Sequence, residues 1–422
     1  MLSRFTPMLA PHAGCHAHAR VGMLSLLFAI LTPYPLPLTP ASAAAPTTLP
    51  AFGGGGPLLG NAEPIAAPPM TVRWTYKADE VDHASIQSSP VIANGTVYIA
   101  DARGTLHAID LQTGKPRWKY KTGDSFAATP LVYDNKVFIG DLSGIFHAVS
   151  ADTGQKLWTV DTESAINSSA NAAGSSILFA NDGAMMFCLN AADGKILWKA
   201  TGGDRINSAP AIAPAPPSMQ LAAAQPAHPA PTGGARLSPD RLIAYFGGCD
   251  GVLRALDIQT GKEIFTVEID VPIPGSPALL GDRLVVGTDL GRVIGINVAQ
   301  RQILWTWQNP DSEMLIYASP AIADGLAVVG ARDRQVHAID LQTGLRKWAF
   351  RTRGDVDAAP VISAGRVYAP SKDKSLYVLD LKTGRLLWQF NAGRAIEAAV
   401  AIASNLLILA DTSGTVFCLQ PK

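Results

Sequence analysis

Asp110-Leu111-Gln112-Thr113-Gly114, followed four residues later by Trp118, is the stretch on which the reading of this 422-residue chain turns. It returns as Asp257-Ile258-Gln259-Thr260-Gly261, Asp340-Leu341-Gln342-Thr343-Gly344 and Asp380-Leu381-Lys382-Thr383-Gly384, with weaker copies at 150–154, 190–194 and 297–301. Four places beyond each glycine position stands an aromatic residue: Trp118, Trp158, Trp198, Phe265, Trp305, Trp348 and Trp388. Their spacings are 40, 40, 67, 40, 43 and 40 residues. Trp74 precedes Trp118 by 44 and joins the series without an Asp-x-x-Thr-Gly before it. The C-terminus has the converse defect, since Thr415-Val416-Phe417-Cys418-Leu419-Gln420 is followed by no Trp.

A period of about 40 residues built from short alternating strands is the signature of a β-propeller with four strands to a blade. In the first repeat the strands are expected at 88–93, 96–100, 105–109 and 116–120. Asn94-Gly95 supplies the first hairpin turn, because both residues tolerate positive φ. Asp-x-x-Thr-Gly is the last turn, in which Asp and Thr bond the local backbone and Gly takes the left-handed position. Eight aromatic markers count eight blades. The fold is therefore expected to be all-β: an eight-bladed propeller of four-stranded antiparallel blades over residues 71–422. The N-terminal strand carrying Trp74 closes the last blade against three strands from 397–420, which leaves no sticky terminal edge. Each docking aromatic should pack between neighbouring blades, burying roughly 150–250 Å².

Two segments fall outside the period. Residues 44–70 hold Gly53 to Gly56 and several prolines, and read as a flexible Pro/Gly-rich tether. The 67-residue spacing adds a Pro/Ala loop near 213–237, expected to be disordered and to join the first two strands of the fourth blade. At the N-terminus, Arg4 and Arg20 precede an apolar stretch at 21–31, and Ala41-Ser42-Ala43 supplies a small-x-small cleavage pattern. This reads as a cleavable signal peptide over 1–43, and hence a periplasmic or secreted protein. The apolar run is broken by Pro33, Pro35, Pro37 and Pro40, too soon to span roughly 30 Å of hydrocarbon. Lys+Arg and Asp+Glu both number 34, so no global field attracts nucleic acid. Cys188, Cys249 and Cys418 follow the leader, an odd count that argues against a disulfide framework.

The Ala-x-Asp-x-x-Thr-Gly-x-x-x-Trp pattern is complete at Ala108 to Trp118 and Ala338 to Trp348. It resembles the tryptophan-docking motif of the PQQ-type (pyrroloquinoline-quinone-type) repeat family. That family includes PQQ-dependent alcohol and glucose dehydrogenases of the periplasm. It also includes the propeller lipoprotein of the outer-membrane β-barrel assembly machinery, which binds no quinone. The resemblance implies one of two functions. The first is a non-catalytic scaffold with a protein partner, no cofactor, no nucleic acid, no transmembrane segment after leader removal and a monomeric ring. The alternative is a quinoprotein dehydrogenase or PQQ-binding protein that uses PQQ and calcium.

Most inner strands begin with a small residue followed by proline, as in Ser89-Pro90. Two positions before the small residue stand Gln87, Ala127, Asn167, Asn207, Pro274, Tyr317, Asp357 and Glu397. Gln87, Asn167, Asn207, Asp357 and Glu397 form the candidate channel ring for a cofactor, since hard cations take amide and carboxylate oxygens. A polar lining of a water-filled axis is the competing reading. The chain has no Cys-Cys pair and no Cys-x-x-Cys-His, both of which occur among the quinoprotein dehydrogenases. No Asp stands out as a catalytic base, and no metal ligand is assigned. His107, His147 and His337 share a position that elsewhere accepts Arg, Ile or Phe, and it reads as strand surface.

Overall fold

A computed structural model describes residues 55–78, 84–216, 219 and 241–422. The expected leader over 1–43 lies outside these residues, as does most of the Pro/Ala loop. Of the loop's expected span, Ala213 and Pro214 instead belong to a strand, Ala211–Pro214.

Alternating apolar residues and glycine-bearing turns fold into eight four-stranded antiparallel sheets, seven of them laid down in chain order from the axis outward. The inner strands are Val91–Ala93, Leu131–Tyr133, Asn171–Ala173, Ala211–Pro214, Ala278–Leu280, Ala321–Ala323, Val361–Ser363 and Ala401–Ala403. The eighth blade joins Ala401–Ala403, Leu406–Ala410 and Thr415–Pro421 to the N-terminal Met70–Lys77, with Trp74 opposite Cys418. The ring thus closes as the repeat predicts. Second and third strands are almost wholly buried, since both faces of each sheet pack against neighbouring blades.

Each docking aromatic is turned by the same local device. Ala108 faces Trp118 and Ile109 faces Pro116, which leaves Arg117 as an extra residue in the outer strand. All eight blades carry this bulge immediately before the aromatic, at Arg73, Arg117, Leu157, Leu197, Ile264, Leu304, Lys347 and Leu387. A β-bulge increases local twist and re-aims the following side chain, here toward the next blade's last turn. Trp74, Trp118, Trp198, Trp305 and Trp348 donate their indole N–H to the carbonyls of Leu111, Ala151, Ile258, Leu341 and Leu381 in the following blade.

The turn glycine underlies that ring. At Gly344, which has φ +73°, an added Cβ would come within 2.6 Å of Trp305. The fifth blade has Arg301 in place of glycine, and the aromatic facing it is the smaller Phe265, with the guanidinium 5.2 Å from the ring centroid. Loss of glycine and shrinkage of the aromatic thus go together, for steric reasons.

The small residues opening the inner strands also acquire a reason. Amides of Ala399, Ser89 and Thr129 donate to the hydroxyls of Ser89, Thr129 and Ser169, each in the next blade. Ala209 and Ser276 donate likewise to Ser276 and Ser319. Only a short hydroxyl side chain can reach a neighbouring amide so close to the axis.

The tether expected over 44–70 is corrected for its described part. Residues 56–62 run along the axial side of the inner strands, whose outward edges are already paired. The carbonyls of Gly56, Pro57, Leu59 and Gly60 accept from the amides of Ile212, Leu279, Ile322 and Ile362, the central positions of four successive inner strands. Leu58, Leu59 and Ile65 are 2%, 9% and 3% exposed, and each joins a different core cluster between blades. Glycine and proline content suggested flexibility. Backbone pairing with free strand edges overrides it, because each unpaired buried N–H otherwise costs about as much as a lost hydrogen bond.

Candidate functional site

The connection entering each blade is pinned in the same way all round the ring. Amides of Ala102, Leu142, Asp182, Cys249, Asp289, Arg332, Lys372 and Thr412 donate to the carbonyls of Ser85, Ser125, Ala165, Arg205, Pro272, Leu315, Asp355 and Ala395. The next residue inward is a buried apolar anchor, such as Ile86, Phe126, Ile166 or Val356. The residue after the anchor then has to turn toward the axis. That is the position of the candidate ring, so the mouth of the channel is built from this position and from the pinned turn beside it.

The structure brings three of the five candidate residues into one network. Arg332 grips Asp357 with two bonds, Nε to Oδ1 at 3.0 Å and a terminal nitrogen to Oδ2 at 2.9 Å. The Lys372 ammonium lies 2.8 Å from the same Oδ2 and 3.7 Å from Glu397 Oε1. Gln87 Nε2 donates to Glu397 Oε2 at 3.1 Å. The Arg332 guanidinium also covers the Tyr317 ring at 4.3 Å. The chain Tyr317–Arg332–Asp357–Lys372–Glu397–Gln87 thus crosses three blade boundaries, from the sixth blade to the first. Asn167 lies apart, donating to both Asp182 oxygens at 3.1 Å, with Arg205 3.7 Å from that carboxylate. Asn207 joins neither group, and its buried Oδ1 has no hydrogen-bond partner among the described residues.

Arg332, Lys372 and Asp182 escaped the sequence reading. Their signal was available: all occupy the pinned turn, one or two residues beyond the end of the second strand. Sequence alone does not show that this turn and the ring position share one rim.

The electrostatics follow from the geometry. Burial alone would raise the Asp357 carboxyl, but hydrogen bonds and charge from Arg332 and Lys372 hold it below the ordinary carboxylate value. Both carboxylates of the candidate ring lie against cations, whose fields oppose a divalent ion. Among the described residues no group of three or more His, Cys, Asp or Glu is placed to hold a metal ion. The donor set does not fit a calcium-assisted quinone.

The three histidines are not strand surface. His107 and His147 are buried, with Nε2 2.9 Å from Asp101 and Asp141 and Nδ1 facing the hydroxyls of Tyr76 and Tyr120 on the preceding blade. His337 pairs with Asp333 at 2.8 Å, but Trp307 replaces the tyrosine and leaves His337 Nδ1 without a partner among the described residues. Tyr377 takes the same place in the seventh blade and donates to Asp373. The position accepts many residue types because it is an inter-blade core site, and each polar occupant brings its own partner.

A pH dependence follows. Burial pushes the His147 imidazole down, outweighing Asp141. Burial would raise Asp101 and Asp333, but hydrogen bonds from His107 and His337 and from backbone amides hold both low. In each case the unfolded chain binds more protons than the folded one, so stability falls with falling pH. The loss should begin near about pH 6.5, where an unfolded histidine titrates, and steepen below about 4, where unfolded carboxylates do. Thermal melts followed by circular dichroism across that range check it, and a midpoint that rises on acidification would contradict the assignment.

The outer membrane protein assembly factor BamB of Burkholderia pseudomallei (strain K96243) is 28% identical over 109 residues, covering 26% of this chain and 28% of that protein. A quinohemoprotein alcohol dehydrogenase of Comamonas testosteroni is 29% identical over 134 residues, or 27% of this chain and 19% of that protein. The chain thus spans little more than a quarter of these relatives at most. Among solved structures, BamB from Moraxella catarrhalis superposes with a TM-score of 0.66 at 18% identity, over 84% of this chain and 98% of that one. The Comamonas testosteroni dehydrogenase structure gives 0.71 at 13% identity, over 90% and 82%. At such identities the structures share the fold alone. The family model described as PQQ_2, outer membrane protein assembly factor BamB, matches residues 67–173, 142–215, 219–322 and 307–422, and the chain belongs to that family.

Proposed function

We propose that this propeller is exported by the segment over residues 1–43 and acts in the cell envelope as a non-catalytic protein-binding scaffold, in outer-membrane protein assembly. The observation that carries the reading is the ion-paired mouth. In the funnel where a cofactor would sit, Asp357 and Glu397 are engaged by Arg332, Lys372 and Gln87. A ring of short turns around a rigid core offers rims and blade edges for protein contact instead. Family membership supports the same direction.

Two measurements test it. The purified protein is titrated with PQQ in the presence of calcium, with absorbance and dye-linked alcohol oxidation recorded. The expected result is no stoichiometric binding at micromolar quinone and no turnover; binding at one equivalent overturns the reading. In the source cell, removing the gene should lower the amounts of outer-membrane β-barrel proteins, and unchanged amounts count against the assembly role.

A further inference from the structure

The axial segment 55–66 is held as a peptide ligand is held, and its contacts differ in kind from those of a linker crossing a surface. Four of its carbonyls meet inner-strand amides of blades four to seven. At one end, Asn171 brackets Gly56 from the third blade: its Oδ1 accepts from the Gly56 amide at 3.0 Å, and its Nδ2 donates to the Gly56 carbonyl at 2.9 Å. At the other end, Glu63 accepts from the Ser404 amide, its carbonyl accepts from Ser363, and the Ala66 amide donates to Asn405. Main-chain pairing to an exposed strand edge, with side chains in alternate pockets, is how strand-edge sites recognise extended peptides.

The pockets impose sequence. Leu58 belongs to a buried cluster with Leu279 and Leu284, Leu59 to one with Trp305 and Ile322, and Ile65 to one with Tyr368 and Leu407. Gly60 has φ +67°, and a Cβ there would stand 2.7 Å from the Ala321 Cβ, so no other residue passes that point. Asn61 Nδ2 reaches the Ile322 carbonyl, and Asn61 pairs in parallel with Ile362.

We propose that the axial edge of blades three to seven is a binding groove for an extended peptide of the pattern Gly-Pro-Leu-Leu-Gly-Asn, and that residues 56–61 are its occupant in cis. The groove is independent of any quinone or protein partner at the mouth. It predicts that the strap stays bound when its covalent connection is cut, and that the same peptide can replace it in trans.

The test uses the full chain with a specific protease site inserted between Ala67 and Pro68, folded intact and then cleaved. The released strap should co-elute with the ring and exchange, on dilution, for a fluorescent synthetic peptide covering residues 52–67. Uptake of the label should be lost with a Gly60→Val peptide. Loss of the two Asn171 bonds in an Asn171→Ala ring should weaken uptake about tenfold. The idea is overturned if the cleaved strap leaves at once with the thermal midpoint unchanged, or if a scrambled peptide is taken up equally well. Should Asn171→Ala fail to fold, the Gly60→Val peptide against the unmodified ring still decides.

Discussion

Trp305→Ala should lower the unfolding free energy by about 3–5 kcal/mol, the usual range for truncating a buried large aromatic. Trp305 is 8% exposed, donates to the Leu341 carbonyl at 3.0 Å and shares a cluster with Leu59 of the axial strap. Its removal opens a cavity between the fifth and sixth blades and leaves a buried carbonyl without its donor. Urea unfolding of the variant measures the loss. The comparison with Trp158 sharpens the test, because the Trp158 indole N–H is buried without a partner among the described residues. Trp305→Phe should cost about 1 kcal/mol more than Trp158→Phe, the net worth of a typical hydrogen bond. Equal costs for the two would mean that the indole bond contributes nothing to blade docking.

Asp101→Ala should be nearly as severe, at about 3–5 kcal/mol, the range for breaking a buried charged network by removing one partner. The carboxylate accepts from the amides of Arg103 and Thr105 and from His107 Nε2, each at 2.9 Å, and is 1% exposed. Two of these donors, the Thr105 amide and His107 Nε2, would be left buried without their acceptor. His107 in turn meets the Tyr76 hydroxyl on the strand that closes the ring, so the loss reaches the closure itself. Tyr76→Phe, which removes only the last link, should cost roughly 1 kcal/mol. Chemical denaturation separates the two, and a Tyr76→Phe loss as large as that of Asp101→Ala would show that the network is not anchored where the geometry places it.

The blade count, the docking aromatics and the closure by Trp74 were all legible in the chain. Each rests on local chemistry repeated at a fixed period: a left-handed glycine, a capping Asp, a large flat side chain. The bulge before every aromatic was not legible. Leu157, Leu197 and Leu304 look like core residues by alternation, yet an extra residue in the outer strand leaves them exposed on the circumference. A one-residue slip reverses which face a side chain takes, and pattern alone carries no mark of where the slip occurs. The histidine position was misread for a related reason: a mixture of His, Arg, Phe and Ile signals surface unless the partner on the preceding blade is known.

The candidate ring divides in the same manner. Gln87, Asp357 and Glu397 do meet, as their shared repeat position implied, whereas Asn167 turns to Asp182 and Asn207 stands apart. What joins the first three is Arg332 and Lys372, which lie on a different turn. The architecture was already written in the chain, because eight near-copies of one blade leave a single way to bury their faces and pair their ends. What fills the axis, and which charges face one another at its mouth, emerged with the assembled ring. Both depend on contacts between residues far apart in the chain, such as Gln87 with Glu397 at 310 positions and Glu63 with Ser404 at 341, and on backbone amides that present the same face whatever side chain they carry.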